Sequence, residues 1–262
     1  MILRRLGNKN RIAQEIIKHF PKHEIYIEPF FGTGSIFFNK SLVKYNFLND
    51  IDSEIHNLFL QVRFNKENLK TELQSFPYHK DCWNWIKTQN FDEPVLKATK
   101  FIVLSNYGFL GTPNSIKYGL DNNKEHLIEN LDKTFDLFCK NTHLQFNNCD
   151  FRVFVKQIAF RDENSFKKTF CYSDPPYLGT ADNYNMQSNW TEKDVVDCMD
   201  ITFNSGFNGA ISEFNHPFIL QQAKERNLNV ITIGERQNLK NRRTEILITN
   251  YQVAKSLFDD CY

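Results

Sequence analysis

Thr169 to Tyr177, Thr-Phe-Cys-Tyr-Ser-Asp-Pro-Pro-Tyr, set one carboxylate, two prolines and one aromatic ring at the end of an apolar run. Phe170 to Ser173 read as a short buried strand that the proline pair stops abruptly. Asp174 and Tyr177 at its end would point out of the sheet instead of into the core. Pro175 and Pro176 each have a fixed φ and no N–H, so the turn is stiff and its carbonyls are left to accept hydrogen bonds. A carboxylate, a carbonyl and an aromatic face held rigidly together can grip a flat ring bearing an exocyclic NH₂. The plain alternative is a proline-rich turn with a capping Asp.

Other stretches decide between these readings. Glu24 to Glu28 alternate like a strand and run into Pro29-Phe30-Phe31-Gly32-Thr33-Gly34-Ser35, with a helix expected from Ile36 to Lys44. Strand, glycine-rich bend and helix start together form a cradle for a nucleotide-like ligand, the glycines letting backbone approach it closely. The bend is not a full G-x-G-x-x-G, and no Lys-Ser/Thr follows it. A second strand, Tyr45 to Leu48, ends in Asn49-Asp50-Ile51-Asp52. An acid about 20 residues after such a bend is where ribose hydroxyls are bound. Asp52 suits a helix cap, which leaves Asp50 as the ribose candidate. Bend and spaced acid together point to an adenosine-containing cofactor.

Earlier in the chain, Gly7-Asn8-Lys9 turns into an amphipathic helix carrying Ile12, Ile16, Ile17 and Phe20. A cation at Lys9 opposes the preference for acids in a first turn, so it reads either as the partner of a ligand carboxylate or as a solvated lysine. Later, Leu144-Gln145-Phe146 form a strand leading to Asp150-Phe151, a pair able to bond and cover an adenine ring or to begin a turn.

The elements that must position these residues follow a βα rhythm with one interruption. From Ser53 to Asn141 helical patterns dominate: Ile55–Phe64, Glu67–Phe76, Trp83–Thr88, Val95–Ser105 and Leu127–Phe138. Among them lies a polar, turn-rich patch, Asn106-Tyr107-Gly108-Phe109-Leu110-Gly111-Thr112-Pro113-Asn114, which reads as a partner-facing loop or an ordinary helix connection. After Tyr177, Gly179 to Asn189 read as a loop, and Thr191 caps a helix. Strands are expected at Gly209–Ser212, Val230–Ile233 and Glu245–Thr249. The basic hairpin between the last two, with Lys240, Arg242 and Arg243, suits phosphate contact.

Bulk properties narrow the class. The 262 residues are 41% hydrophobic and 24% charged, which is globular, and no stretch spans a membrane. With no secretory signal, a cytosolic protein is expected. The six Cys lack paired C-x-x-C spacing and favour reduced thiols over zinc or disulfides. A net charge of +1 leaves nucleic-acid binding to local patches.

In their types and order, Gly7-Asn8-Lys9, Phe30-Phe31-Gly32-Thr33-Gly34, Asn49-Asp50-Ile51, Asp150-Phe151, Asp174-Pro175-Pro176-Tyr177 and Thr244 to Tyr251 resemble the Dam-like (D12, alpha-group) N6-adenine DNA methyltransferases. The resemblance covers nearly the full length. It implies an α/β fold: a Rossmann-like class I S-adenosylmethionine-dependent methyltransferase sheet (1–52 and 142–262) with an inserted helical target-recognition domain (53–141). By resemblance, Arg5 and Lys9 lie near the methionine end of the donor, Lys9 pairing its carboxylate. Asp50 would hold the ribose, Asp150 and Phe151 the adenine, and Phe30, Phe31, Gly32 and Gly34 the wall beneath. Asn106, Tyr107, Phe109, Lys240, Arg242 and Arg243 are the candidate DNA contacts. The Asn-Gly-Leu-x-Arg pattern usual in GATC-reading members has no Arg counterpart near Gly108 to Gly111.

The implied activity is direct methyl transfer to N6 of an adenine extruded from double-stranded DNA, in a bacterial or phage cytoplasm, with or without a separately acting cognate restriction endonuclease. The Asp174 carboxylate and the Pro175 carbonyl would accept hydrogen bonds from the two amino N–H groups, and Tyr177 would stack on the ring. No metal is required. Cytosine-N4 methylation uses the same amino chemistry, and a binding-only protein with a relict pocket is the reading from another class. Protein-glutamine methylation would have Asn in place of Asp174.

Overall fold

The structure, a computed structural model, describes residues 2–3, 8–111, 113–117, 124–141, 143–178, 190–237 and 242–253, with backbone alone for Leu110, Arg236, Gln237 and Arg242. Seven strands form one sheet: β1 (Ile25–Glu28), β2 (Tyr45–Asn49), β3 (Leu144–Asn147), β4 (Thr169–Ser173), β5 (Asn208–Phe214), β6 (Asn229–Gln237) and β7 (Arg242–Thr249). Their order is β3-β2-β1-β4-β5-β7-β6. The pairs from β3 across to β5 are parallel, and β7 runs antiparallel to both β5 and β6. This is the Rossmann-like α/β arrangement expected, with one reversed strand. Strand order turns back between β1 and β4, and ligands of such sheets sit outside the carboxyl ends of the strands at that crevice.

Local chemistry accounts for the elements. Every residue of β4 is buried, as in a strand covered on both faces. The Asp52 carboxylate caps α2 (Ser53–Phe64) by accepting from Glu54 N at 3.0 Å. Buried Ile55, Leu58, Phe59 and Val62 then form its inward stripe. After the short α8 (Glu163–Lys167), Thr191 and Asp194 make a reciprocal capping box at the start of α9 (Glu192–Phe203). Pro94 stands in the first turn of α5 (Pro94–Tyr107), where its missing N–H costs nothing.

The helices α2, α3 (Lys66–Ser75), α4 (Lys80–Thr88), α5 and α6 (Lys124–Lys140) all fall between β2 and β3. Their apolar faces join the sheet's in one hydrophobic cluster. Phe59 of α2 meets Phe31 at 4.9 Å between ring centroids and Phe138 of α6 at 5.7 Å, so α2 and α6 back the glycine-rich bend directly.

Two expected helices differ. No helix runs from Ile36 to Lys44: residues 35–39 form turns, with isolated bonds such as Phe38 N to Gly34 O at 2.9 Å and Lys40 N to Ile36 O at 3.0 Å. Residues 33–37 are all buried, so the stretch lacks the alternation of buried and exposed positions that marks an amphipathic helix. The N-terminal helix α1 spans only Ala13–Ile17. Phe20 lies beyond it, before Pro21, with its ring 4.5 Å from that of Phe170.

Candidate active site

The turn that leaves β4 carries Asp174 into contact with the N-terminal segment and with the last strand. Lys9 Nζ lies 3.0 Å from Asp174 Oδ1 and 3.0 Å from Glu245 Oε1 on β7. It also donates to the Tyr177 hydroxyl, which donates to Glu245 Oε1 at 2.5 Å. Lys9 and Glu245 are 3% and 0% exposed, whereas the Asp174 side chain keeps 22%. A buried charge needs a partner, and here one cation serves two carboxylates. Lys9, expected beside a ligand carboxylate, pairs with two of the chain's own. The Tyr177 ring meets Phe214 of β5 edge-on at 4.5 Å and is 5% exposed.

The glycine-rich bend sits at the carboxyl ends of β1 and β2. Asp50 Oδ2 accepts from Gly32 N at 2.6 Å, and its Oδ1 from Asp52 N at 2.9 Å. Gly32 and Gly34 have φ of +53° and +72°, which favour glycine. A Cβ on Gly34 would fall 2.3 Å from the Phe38 ring and 2.7 Å from Phe31, while one on Gly32 would meet nothing within 4 Å. The bend is therefore closed behind Gly34 and open above Gly32. Beside it, Phe30, Phe151 and Trp190 cluster, with Phe30–Phe151 centroids 5.0 Å apart and Phe30–Trp190 5.8 Å. Asp150 caps α7 (Phe151–Gln157) through Arg152 N at 2.8 Å and pairs with the Arg152 guanidinium at 3.1 Å. Asp194 and Asp197 hold the same guanidinium from α9.

Electrostatics tie the two halves together. Burial raises the Glu28 carboxyl well above its ordinary range. Its Tyr26 hydrogen bond and Lys40 oppose this, while the negative charges of both Asp174 and Asp50 reinforce it. Asp50 follows β2 and Asp174 follows β4, the two strands that neighbour β1, which ends in Glu28. Burial likewise brings Lys40 down to about 8, against the pull of Glu28. The Tyr177 hydroxyl is held well above its ordinary value by burial first, then by Asp174 and Glu245. Glu213 is pushed up to about 8 by burial, opposed by two backbone N–H groups and by Lys9.

The predicted DNA contacts divide. Asn106 sits in α5 with its amide donating to Ile2 O at 2.8 Å and Ile102 O at 3.1 Å. Tyr107 is 3% exposed and packs on Tyr78 with centroids 4.6 Å apart. Both belong to the packing under the loop. Phe109, on the 3-10 turn Phe109–Gly111, is 51% exposed. The Arg243 guanidinium lies 5.4 Å from the Phe214 ring, next to Tyr177. Arg5, Gly7 and Lys240 lie outside the described residues, as does the side chain of Arg242.

Several site residues escaped the motif reading. Glu213 and Phe214 end β5 and touch the turn after β4, yet the expected strand stopped at Ser212. Glu245 entered as the start of an apolar strand and within the Thr244 to Tyr251 stretch, with no role of its own. A lone acid inside an apolar run was the available signal for both glutamates, since such acids are rarely buried without a purpose. Asn49 ties the crevice by donating to Pro29 O at 3.0 Å and Cys149 O at 2.9 Å.

A glycine-rich bend thus stands at the turning point of a Rossmann-like sheet, and a carboxylate and a tyrosine stand on the proline-containing exit of the adjacent strand. The family model described as D12 class N6 adenine-specific DNA methyltransferase matches residues 6–231, and the chain belongs to that family. It is an adenine-specific DNA methyltransferase. It is 24% identical to the type II methyltransferase M1.LlaDCHI of Lactococcus lactis subsp. cremoris, over 94% of this chain and 93% of that one. To the DNA adenine methylase of Haemophilus influenzae it is 29% identical, over 65% of this chain and 61% of that one. To the modification methylase StsI of Streptococcus sanguinis it is 25% identical, over 94% of this chain and 42% of that one. Among the described residues no helix is long and apolar enough to cross a membrane.

Proposed function

We propose that the Asp174–Tyr177 turn carries out methyl transfer to adenine N6, with S-adenosylmethionine held over Gly32. The observation that carries this reading is the convergence of Asp174, Lys9, Tyr177 and Glu245 beside the open glycine bend. The residues present fit the donor. Asp50 would hold the ribose hydroxyls, Asp150 and Phe151 the adenine, and Phe30 to Gly34 the wall, with Arg5 toward the methionine end. When bound, the donor supplies an electrophilic methyl group.

The chain's residues do the rest. The N6 lone pair of adenine is conjugated into the ring and is a poor nucleophile. The Asp174 carboxylate and the Pro175 carbonyl would accept hydrogen bonds from its two N–H groups, drawing the nitrogen toward tetrahedral geometry and stabilising positive charge as it develops. As the N–C bond forms and the donor's S–C bond breaks to a neutral thioether, the nitrogen would give up one proton to the Asp174 carboxylate. Lys9, shared with Glu245, keeps the Asp174 carboxylate oriented. Holding the acceptor nitrogen in line with the methyl group would lower the barrier further. The target adenine must leave the duplex, at about a few kcal/mol, and stacking on Tyr177 would return about 1–3 kcal/mol. Tyr177 is 5% exposed, so that stacking requires its side chain or its cover to move.

In the same reading, 53–141 serves as the target-recognition part, with Phe109 at its exposed turn, and Arg243 contacts backbone phosphate with Lys240 and Arg242. M1.LlaDCHI and StsI carry type II and modification-methylase names, which supports a role beside a restriction endonuclease. Mass spectrometry of nucleosides from DNA treated with the wild type and with Asp174→Ala tests the reading. N6-methyladenine is expected from the wild type alone, and N4-methylcytosine would overturn the choice of base.

A further inference from the structure

We propose that Glu213 is a positioning residue for methyl transfer, fastening the turn that bears Asp174 and Tyr177 to the neighbouring strand β5 through the N–H of Leu178. Its Oε1 accepts from Leu178 N at 3.1 Å and its Oε2 from Phe214 N at 2.6 Å. Leu178 directly follows Tyr177.

The need for such a clamp follows from the chain's course. β4 and β5 run parallel, with Ser173 opposite Ile211 as the last paired positions. Beyond them the chain passes through Pro175 and Pro176, which have no N–H to continue the ladder. Glu213, two residues past Ile211, reaches from β5 with a side chain where backbone bonding has stopped. Its neighbours hold the same turn. Phe214 packs on the Tyr177 ring, and Glu245, paired across the ladder with Phe214, accepts from the Tyr177 hydroxyl.

The chemistry of the site singles out a function for this acid. Glu213 is 1% exposed in a strand whose positions from Gly209 on are buried, with Glu245 close enough to raise its pKa. An apolar residue would be cheaper there, since a buried carboxyl is unfavourable unless its oxygens are bonded. Both oxygens of Glu213 accept a backbone N–H, and one of those comes from the catalytic turn. Transfer depends steeply on placement, and a shift of about 1 Å in a positioning group can cost about a hundredfold in rate.

The inference rests on assigning transfer to the Asp174 turn, so its test carries one readout that needs no turnover. Glu213→Gln keeps an acceptor at full reach, whereas Glu213→Asp keeps the carboxyl group but falls one methylene short. Amide hydrogen exchange at Leu178 in the full chain is expected to be slow in the wild type and Glu213→Gln, and about tenfold or more faster in Glu213→Asp. With tritiated S-adenosylmethionine and unmethylated bacterial genomic DNA, kcat of Glu213→Asp is expected to fall about 10- to 100-fold, with Glu213→Gln above it. Donor affinity by calorimetry is expected to stay within about twofold, because the clamp does not touch the glycine bend. Wild-type exchange at Leu178 or wild-type kcat in Glu213→Asp would overturn the proposal, as would Glu213→Gln falling below Glu213→Asp. A wild type that makes no N6-methyladenine would instead overturn the assigned activity, and exchange alone would then decide the clamp.

Discussion

Lys9 Nζ stands 3.0 Å from Asp174 Oδ1, joining the segment before α1 to the turn after β4. The same ammonium reaches Glu245 at 3.0 Å, so three strands of chain remote in sequence share one buried charge centre. The acid assigned to catalysis is thereby oriented by a cation that is itself anchored from behind.

Asp174→Ala removes the acceptor of an amino proton while leaving Lys9 paired with Glu245. Transfer is expected to fall about 10²- to 10³-fold or more, with the circular dichroism spectrum unchanged. Incorporation of tritiated methyl groups into DNA checks this, and near wild-type incorporation would sink the assignment.

Lys9→Met takes an ammonium from buried Glu245 and from Asp174. Breaking a buried pair from one side costs about 3–5 kcal/mol, which urea unfolding would read. Adding Glu245→Gln is expected to restore part of that stability, because one of the two carboxylates that lost the ammonium is neutralised. Simple additivity of the two losses would argue against a shared charge centre.

Stability should depend on pH through Glu213. Its carboxyl has an ordinary value of 4.5 and a folded value of about 8. The folded state therefore binds the proton more tightly than the unfolded chain. This contribution is fully present below about 4.5 and is lost as pH rises through about 8. Thermal midpoints are expected to decline across that window. Glu213→Gln, neutral throughout, should flatten the decline, and an unchanged slope would contradict the assignment.

Gly34→Ala forces a Cβ into the Phe38 and Phe31 rings and holds a non-glycine residue at φ +72°. Strain at such positions costs about 1–3 kcal/mol, and the closed back of the cradle would have to shift. Weaker donor binding in calorimetry is expected, by about tenfold or more, alongside a lower thermal midpoint.

Tyr177→Ala deletes the ring proposed to receive the extruded base. A fluorescent base analogue at the target position should then brighten less on binding, in line with about 1–3 kcal/mol of lost stacking.

Much of this was legible before any coordinates. The apolar run before Pro175, the acid spaced from Gly32, and the caps at Asp52 and Thr191 each depend on local chemistry, and each lies where expected. Readings failed where tertiary packing overrode pattern. Residues 33–37 are buried without a break, and turns stand where a helix was expected. Asn106 and Tyr107 look like loop residues ready for a partner, but the end of α5 draws them into its packing. The partner of Lys9 could not be read at all, because its contact with Tyr177 spans 168 positions and depends on where β7 inserts.

That insertion has a consequence for how the enzyme comes into being. β7 is made after β6, yet it lodges between β5 and β6 and delivers Glu245 to a lysine that precedes every strand of the sheet. A nascent chain that has reached β6 but not β7 lacks one anchor of the Lys9 charge centre, so that centre is expected to assemble only after β7 has been synthesised and inserted.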